Sequence, residues 1–586
     1  MRLIWRYHLM VVVGPFMVLT VGSWMMDRLS LGVEVDSYLF SYGFWVSAIP
    51  LSLLLTALVA LTGRVCLSLA VSLLIVGGLC AINAQKIGSL ASPLSVFDCY
   101  LFKSIDFDSL SLFAHYVNWR KFSLACVVFA LGTALLLRIE KPLLSKHLLL
   151  RAFIFICVAG MAHLLLFGHV GRRIYDVDRL RVSASSPFLT QFHAGLLGSM
   201  FYASNDMDTA LDEPIDRLAV QSLLARVRTG GEHGSVAGTG VQPDVVVIQS
   251  ESFFNPDILN QVADTRVLVP TLHRAFAQGV SGSMTVPTFG GGTLRTEFEV
   301  LTGIPLAAYP RVQFPYLQIS HLAIPGLAST FDKAGYKTVA IHGNSGEFWN
   351  RRYALKSLGF AKFITADEFG PNAYKDGLFL SDHSMTDEII NQLGQAGQPK
   401  FVFAISIEAH GPYKGVQVRD EAQRNAVSTP SGVSAAACRE YSLYAYHIEE
   451  ADRELGRLWD YLEHRKRPYV LVFYGDHLPG LEVVYHETTF RDGLPAERQR
   501  VPWVAVGSGL AGIGKQDIYA WMLPSEVLKL ARVKGPEYLD VAWTAGHLAL
   551  SSDDERDAHV LDELYSVARM NLNGEFGGSG GLHGAL

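Results

Sequence analysis

Five apolar stretches crowd the first 170 residues of this 586-residue chain, at 8–26, 41–62, 66–83, 122–137 and 152–169. Each approaches the roughly 20 residues that a helix needs to cross a bilayer core, with 122–137 the shortest. A cleavable leader would account for the first alone. The pattern therefore predicts a transmembrane domain of five helices over residues 1–169, and everything after it must fold in water. A chain of this length exceeds one ordinary domain. The net charge of −6 and the lack of a long basic tract exclude nucleic acid as the expected partner.

Loop charge does not set the orientation. With the N-terminus inside, Arg2, Arg6, Arg64, Arg138, Lys141, Lys146 and Arg151 fall on the cytoplasmic side. Arg28, Lys86, Lys103, Arg120, Lys121, Arg172 and Arg173 fall outside, seven against seven. The short basic loop RIEKPLLSKHLLLR favours the cytoplasm, while Arg28 shares its loop with Asp27, Glu34 and Asp36. The expectation is thus an inside N-terminus and, after five spans, an extracytoplasmic remainder. Of six cysteines only Cys438 lies in that remainder, which cannot close an internal disulfide.

The segment 84–121 mixes charged and apolar residues, as short amphipathic helices at a membrane surface do. Residues 170–242 read as a connector, with the helical pattern DRLAVQSLLARVR followed by the Gly-rich TGGEHGSVAGTGVQP. The tail 571–586 reads as disordered. Over 243–570, the β-rich runs DVVVIQS, KTVAIHG, KFVFAISIEA, YVLVFYGD and VPWVAVGSG alternate with helical stretches such as 382–396 and 436–463. Such alternation predicts an α/β domain around a largely parallel sheet, with ligands at the carboxyl ends of the strands.

Chemistry-bearing residues follow those runs. Glu251 ends the first, and Asp476 and His477 end the fourth. Two carboxylates and an imidazole converging there would suit Zn²⁺ or Mn²⁺ better than Ca²⁺. Singly, each has a plainer structural reading: Glu251 as a helix cap, Asp-His as a turn. His342 and His410 end the second and third runs, and HGNSGEFWNRR adds Trp349, Arg351 and Arg352. A guanidinium is the natural bidentate partner of a phosphate, and Trp349 could cover a small polyol or seal the pocket rim. His383, after Asp382, reads as helix-start chemistry. There is no P-loop and no GxSxG elbow. Instead FGGGTLRTEF offers Thr293 behind three glycines. A threonine hydroxyl is a poor nucleophile until a base or metal activates it, and glycines let backbone approach a bound phosphate.

The ordered series IQSESF, GGGTLRTEF, IHGNSGEFWNRR, SIEAHGPY and FYGDHLPG resembles the lipoteichoic-acid synthase family and its periplasmic phosphoglycerol-transferase relatives. These are sulfatase-fold membrane transferases of the alkaline-phosphatase superfamily. The resemblance covers nearly the whole chain. It implies a five-helix membrane domain followed by an α/β sulfatase-like catalytic domain outside the cytoplasm, in the cytoplasmic (inner) membrane. It makes Thr293 the covalently modified nucleophile. It also implies that Glu251, Asp476, His477 and the Thr293 oxygen hold one divalent cation, Mn²⁺ in the first place, with Mg²⁺ or Zn²⁺ as alternatives. His342, Trp349, Arg351 and His410 would line the phosphoglycerol pocket, with His342 or His410 moving protons. The donor would be phosphatidylglycerol and the acceptor an envelope glycan or a polyglycerol-phosphate chain.

The family often carries Ser-Asp after the nucleophile, where this chain has Leu294 and Arg295. That difference bears on donor and acceptor, and Arg295 is a candidate contact for an anionic group. The rival expectations are phosphoethanolamine transfer, whose enzymes typically have disulfide-stabilised soluble domains, and a sulfatase-fold phosphodiesterase or sulfatase. No C-x-P-x-R modification motif surrounds Thr293, as a sulfatase would need. A non-catalytic sensor would not need the nucleophile and ligand set together.

Overall fold

The structure, a computed structural model, describes residues 2–31, 39–90, 93–99, 119–143, 145, 147–180, 187–206, 210–229, 241–262, 266–319, 322, 324–510, 514–551 and 559–576. The stretch 100–118, most of the Gly-rich linker and the tail from 577 lie outside these residues, as do the expectations placed on them. Two compact units form, Met1–Thr209 and Ala210–Leu586. Their boundary falls inside the stretch read as connector.

In the first unit, α1 (Arg2–Leu31), α2 (Tyr42–Thr62), α3 (Val65–Leu90), α4 (Trp119–Ile139) and α5 (Leu148–Phe167) take up the five apolar stretches. Among the described residues, four segments are long and apolar enough to cross a membrane: Tyr42–Thr62, Val65–Ile87, Phe122–Ile139 and Leu148–Phe167. The first stretch lies within α1, which runs on to Asp27 and Arg28. A further helix, α6 (Pro187–Asp206), breaks at Gly195 (φ 71°, ψ 166°). It is tied to α1 through polar groups that an apolar setting forces to pair internally. Asp27 Oδ1 accepts from Gln191 Nε2 (2.7 Å) and Leu196 N (3.1 Å), and Arg28 Nη2 donates to the Phe192 carbonyl (2.8 Å).

Among its described residues the second unit has ten strands: β1 (Asp244–Ser250), β2 (Val280–Thr285), β3 (Lys337–His342), β4 (Lys362–Ile364), β5 (Lys375–Asp376), β6 (Phe379–Leu380), β7 (Lys400–Ile405), β8 (Tyr469–Gly475), β9 (Val501–Gly507) and β10 (Ile518–Tyr519). Eight of them form one sheet in the order β10-β2-β9-β8-β1-β7-β3-β4, while β5 and β6 make a small hairpin. In the large sheet only β9 runs against the others. The largely parallel sheet expected from the alternating runs is therefore present. Strands β1, β7 and β8 are buried at every position, which explains their continuous apolar runs.

Several helices bear on the site. These are α7 (Arg217–Thr229), α8 (Pro270–Gln278), α9 (Thr293–Thr302), α10 (Arg351–Ser357), α11 (Asp382–Gly394), α12 (Ala435–His464), α13 (Glu537–Ser551) and α14 (Val560–Leu572). Helix α12 is long because its buried face repeats at helical spacing (Tyr444, Ile448, Leu455, Leu458, Leu462), and Ser434 caps it by accepting from Ala437 N. It packs with α8, α11 and β8. The N-cap of α11 is Ser381, so Asp382 is the first helical residue, and His383 Nδ1 pairs with Glu454 Oε1 at 2.9 Å. Helix α7 packs on α13 and α14, placing it in the second unit.

Candidate active site

The parallel register brings the ends of β1, β8, β7 and β3 side by side. Directly after β1 come Glu251 and Ser252, the latter at φ 56°, a strained value for a residue with a side chain. Directly after β8 come Asp476 and His477. All four residues are buried. Asp476 Oδ1 accepts from Ser252 N (2.7 Å) and from His477 N (2.8 Å), so one carboxylate oxygen fixes both turns. Its other oxygen, Oδ2, is buried without a hydrogen-bond partner and lies 3.2 Å from His477 Nε2.

The tautomer of His477 follows from its surroundings. Nδ1 lies 2.9 Å from the Leu478 carbonyl, which can only accept, so Nδ1 carries the proton and Nε2 is bare. Such an arrangement orients an imidazole as a metal ligand. Donor atoms of Glu251, Asp476 and His477 all lie within 4.8 Å of one another. Burial pushes the Asp476 carboxyl up to about 7, and the adjacent Glu251 charge adds to that. Two buried carboxylates facing one bare imidazole nitrogen, with an oxygen left over, fit a divalent cation.

Thr293 completes the cluster. Gly292 takes the left-handed conformation (φ 79°) as N-cap of α9, and a Cβ there would sit 2.8 Å from Thr288 Oγ1. The glycine loop is held by Gly290 N donating to the Leu478 carbonyl (2.9 Å), the same oxygen that orients His477. Thr296 Oγ1 donates to the Asp476 carbonyl at 2.7 Å, pinning the first turn of α9 to the end of β8. Thr293 is thereby placed as the first helical residue, half-buried where Glu251, Asp476 and His477 are fully buried. Its hydroxyl donates to Glu251 Oε2 at 3.1 Å and stands 3.4 Å from His477 Nε2. The helix N-terminus around it favours an anion.

The remaining candidates form a second group. His342 ends β3, buried, with Nδ1 3.1 Å from the Ile405 carbonyl and Nε2 3.4 Å from Arg351 Nη1. Burial and the Arg351 charge hold its pKa well below the usual histidine value, so it is neutral, donating through Nδ1 and accepting at Nε2. Arg351 is itself buried, with Nε on Glu297 Oε2 at 3.0 Å. Glu297 Oε1 accepts from Tyr316 Oη at 2.8 Å. A strut thus runs from α9, one turn past Thr293, to the end of β3. Trp349 (φ 59°) is half-buried and stacks on Phe314 with centroids 4.8 Å apart. His410 is half-buried, with Nδ1 2.7 Å from the Gly411 carbonyl and its ring edge-on to Phe379. Arg295 directs its donors to the carbonyls of Val312 (2.8 Å), Gln313 (3.1 Å) and Pro287 (3.4 Å).

Sequence reading did not single out Ser252, Thr296, Tyr316 or Ser406, whose parts are visible only through cross-chain contacts. For Ser252, Thr296 and Ser406 the nearest signal was their position inside the motif segments, whereas Tyr316 lies outside them.

The sulfatase family matches residues 243–517. A Rhizobium meliloti (strain 1021) protein named for cyclic beta-1,2-glucan modification is 37% identical over 287 residues, 49% of this chain and 42% of that protein. The capsular polysaccharide biosynthesis protein RkpI of the same organism is 28% identical over 351 residues, 58% of each chain. The matches span about half the length of these curated relatives. Among solved structures, the Streptococcus pyogenes phosphoglycerol transferase GacH, in complex with sn-glycerol-1-phosphate, superposes with a TM-score of 0.51 at 20% identity. That superposition covers 60% of this chain and 93% of GacH, and it shows a shared fold. Residues 243–517 are therefore a domain of the sulfatase family, carried on a chain with an apolar, membrane-type helical unit.

Proposed function

We propose that the protein is a metal-dependent membrane phosphoglycerol transferase, which moves glycerophosphate from phosphatidylglycerol to an envelope acceptor through a modified Thr293. The observation that carries this reading is the Thr293 hydroxyl at a helix N-terminus, 3.1 Å from Glu251 and 3.4 Å from His477 in a buried Glu/Asp/His set. A divalent cation held by Glu251, Asp476, His477 and the Thr293 oxygen, Mn²⁺ in the first place, would acidify that hydroxyl and offset phosphoryl charge. Thr293 Oγ attacks the phosphorus of the lipid phosphodiester, and the bond to the diacylglycerol oxygen breaks. A hydroxyl of the acceptor then takes the glycerophosphate from Thr293.

His342 has both ring nitrogens engaged, so its part is to shape the pocket wall. His410 keeps Nε2 for moving protons to the leaving oxygen and from the acceptor. The guanidinium of Arg351 has five N–H donors. Those beyond Glu297 and His342 serve the phosphate, while Trp349 covers the glycerol. The names of the two Rhizobium relatives support a glycan acceptor. The apolar helical unit supports a membrane setting in which a catalytic unit outside the cytoplasm draws on an insoluble donor.

The test is intact-mass measurement of the full chain in detergent with phosphatidylglycerol. An adduct of glycerophosphate mass, absent in Thr293→Ala, is expected. An adduct of phosphoethanolamine mass from phosphatidylethanolamine would establish that transfer instead, and lipid turnover with no adduct would establish a phosphodiesterase.

A further inference from the structure

Two side chains in the first turns of α9, past Thr293, tie the nucleophile's helix to the surroundings of the head-group pocket. Glu297 holds Arg351. Arg295 runs along the glycine loop, with Cδ 3.4 Å from where a Gly292 Cβ would sit and Nε 3.4 Å from the Pro287 carbonyl. Its Nη1 then donates to the carbonyls of Val312 (2.8 Å) and Gln313 (3.1 Å). These carbonyls belong to a turn, 312–314, in which every backbone polar group has a partner. Val312 N donates to the Tyr309 carbonyl at 2.9 Å, and Gln318 Oε1 accepts from Gln313 N (3.0 Å) and Phe314 N (2.9 Å). The Phe314 carbonyl accepts from Leu317 N (2.9 Å) and Gln318 N (3.0 Å). The two carbonyls left over are those that Arg295 takes.

The turn carries Phe314, whose ring stacks on Trp349 with 18° between the planes. Trp349 and Asn350 both take left-handed backbone (φ 59° and 61°), a costly conformation for residues with side chains. Asn350 Nδ2 fastens that turn to the Tyr316 carbonyl at 2.8 Å. Both aromatic rings are thus tied to one short segment, 312–318, and Arg295 ties that segment to the start of α9. We propose that Arg295 is a positioning residue for the donor head group. It holds the Phe314–Trp349 wall at a set distance from Thr293, so that the wall covers the glycerol while Thr293 Oγ faces the phosphorus. A guanidinium suits this task because its planar fork reaches several carbonyls from one stem, where an ammonium is a point charge. The wall lies away from the reacting bond, so its contacts are as strong in the ground state as in the transition state. Their loss belongs in KM rather than in kcat.

This role rests on the reading of Trp349 as the cover of the glycerol, and the experiment separates the two. Turnover of phosphatidylglycerol by the full chain in detergent with MnCl₂ is measured as KM and kcat, with thermal unfolding by circular dichroism in parallel. No turnover by the wild-type chain, or an unchanged KM in Trp349→Ala, overturns that reading, and this role with it. Given both, Arg295→Met, which keeps the stem and removes the donors, should raise KM about 10-fold with kcat within about threefold of wild type. Phe314→Leu should do the same, and the double variant should be no worse than the worse single one, because both act through one wall. Should Arg295→Met not fold, Arg295→Lys decides. Its ammonium does not span both carbonyls, so KM should still rise about fivefold, whereas a direct contact of this charge with the lipid phosphate would survive in lysine. A KM within about twofold of wild type in either folded Arg295 variant, a loss in kcat alone, or single losses that multiply in the double variant overturns the role of Arg295 while leaving the transfer reaction standing.

Discussion

Strand β1 is buried along its whole length and carries a carboxylate at each end, and the two ends are treated oppositely. At the amino end, Asp244 meets Arg465 Nη1 at 2.9 Å and Arg467 Nε at 3.4 Å, and accepts from Lys400 N at 2.8 Å. At the carboxyl end, Glu251 meets a second buried carboxylate, Asp476, one bare imidazole nitrogen and a threonine hydroxyl, with no Lys or Arg paired to either acid among the described residues. A buried charge costs several kcal/mol unless it is paired. The amino end satisfies this requirement within the chain. The carboxyl end leaves it for something that binds, and the contrast separates scaffold from site.

The sharpest way to break that contrast is Thr293→Ala. It should reduce transfer by about 1,000-fold or more and remove the covalent adduct, while leaving the unfolding midpoint within about 2 °C of wild type. A comparable loss of stability would mean that the carboxyl end is scaffold too. Asp244→Ala should do the reverse. It should cost about 3–5 kcal/mol in denaturant unfolding, because a buried pair loses one partner, with Mn²⁺ affinity unchanged in the folded fraction. Next in size is the response to metal. At 100-fold excess over Kd, Mn²⁺ should add about 2.7 kcal/mol to wild-type stability, reversed by chelator. Asp476→Asn should abolish that gain while raising the metal-free midpoint, since it removes one of two repelling carboxylates.

The smallest expected effect is a pH slope. Glu299, on α9, accepts from Leu306 N at 2.7 Å, and burial raises its pKa to about 8 against the pull of that bond and of Arg295. A raised carboxyl pKa means that the folded chain keeps a proton that the unfolded chain releases. Its contribution should therefore be full below about pH 4.5 and fall as pH rises towards about 8. Denaturant unfolding of the metal-free protein at pH 5, 6.5 and 8 should show the decline, and Glu299→Gln should flatten it. Glu297, two residues earlier, is already paired with Arg351 and provides the internal control.

Much of this was legible in the chain. The runs that became β1, β3, β7, β8 and β9 are continuous and apolar because both faces are covered, and that covering is what makes a buried strand readable. Strands β2, β4 and β10 were not read. In β2, VSGSMT has little apolar signal, and Gly282 is there because a Cβ would meet the Gln516 carbonyl oxygen at 1.9 Å. Helix α6 was absorbed into the connector because its apolar pattern is broken by Gln191, His193 and the kink at Gly195. The residues Glu251, Thr293, Asp476 and His477 were named from the motif segments, and the fold brings them together. The chain does not reveal that Arg351 is buried against Glu297, or that Arg295 faces backbone carbonyls, because partner choice over tens of residues leaves no local pattern.

By itself, then, the sequence determined the kinds of element, the direction of the sheet and the chemistry available at its carboxyl edge, since periodicity and residue type are local properties. Only the tertiary structure decided which groups compensate one another. It placed cations against Asp244, left Asp476 Oδ2 without a hydrogen-bond partner and set Ser406 behind Glu251. Electrostatic pairing depends on distances of a few ångströms between residues as far apart in the chain as Glu251 and His477. Those distances exist only once the strands lie in register.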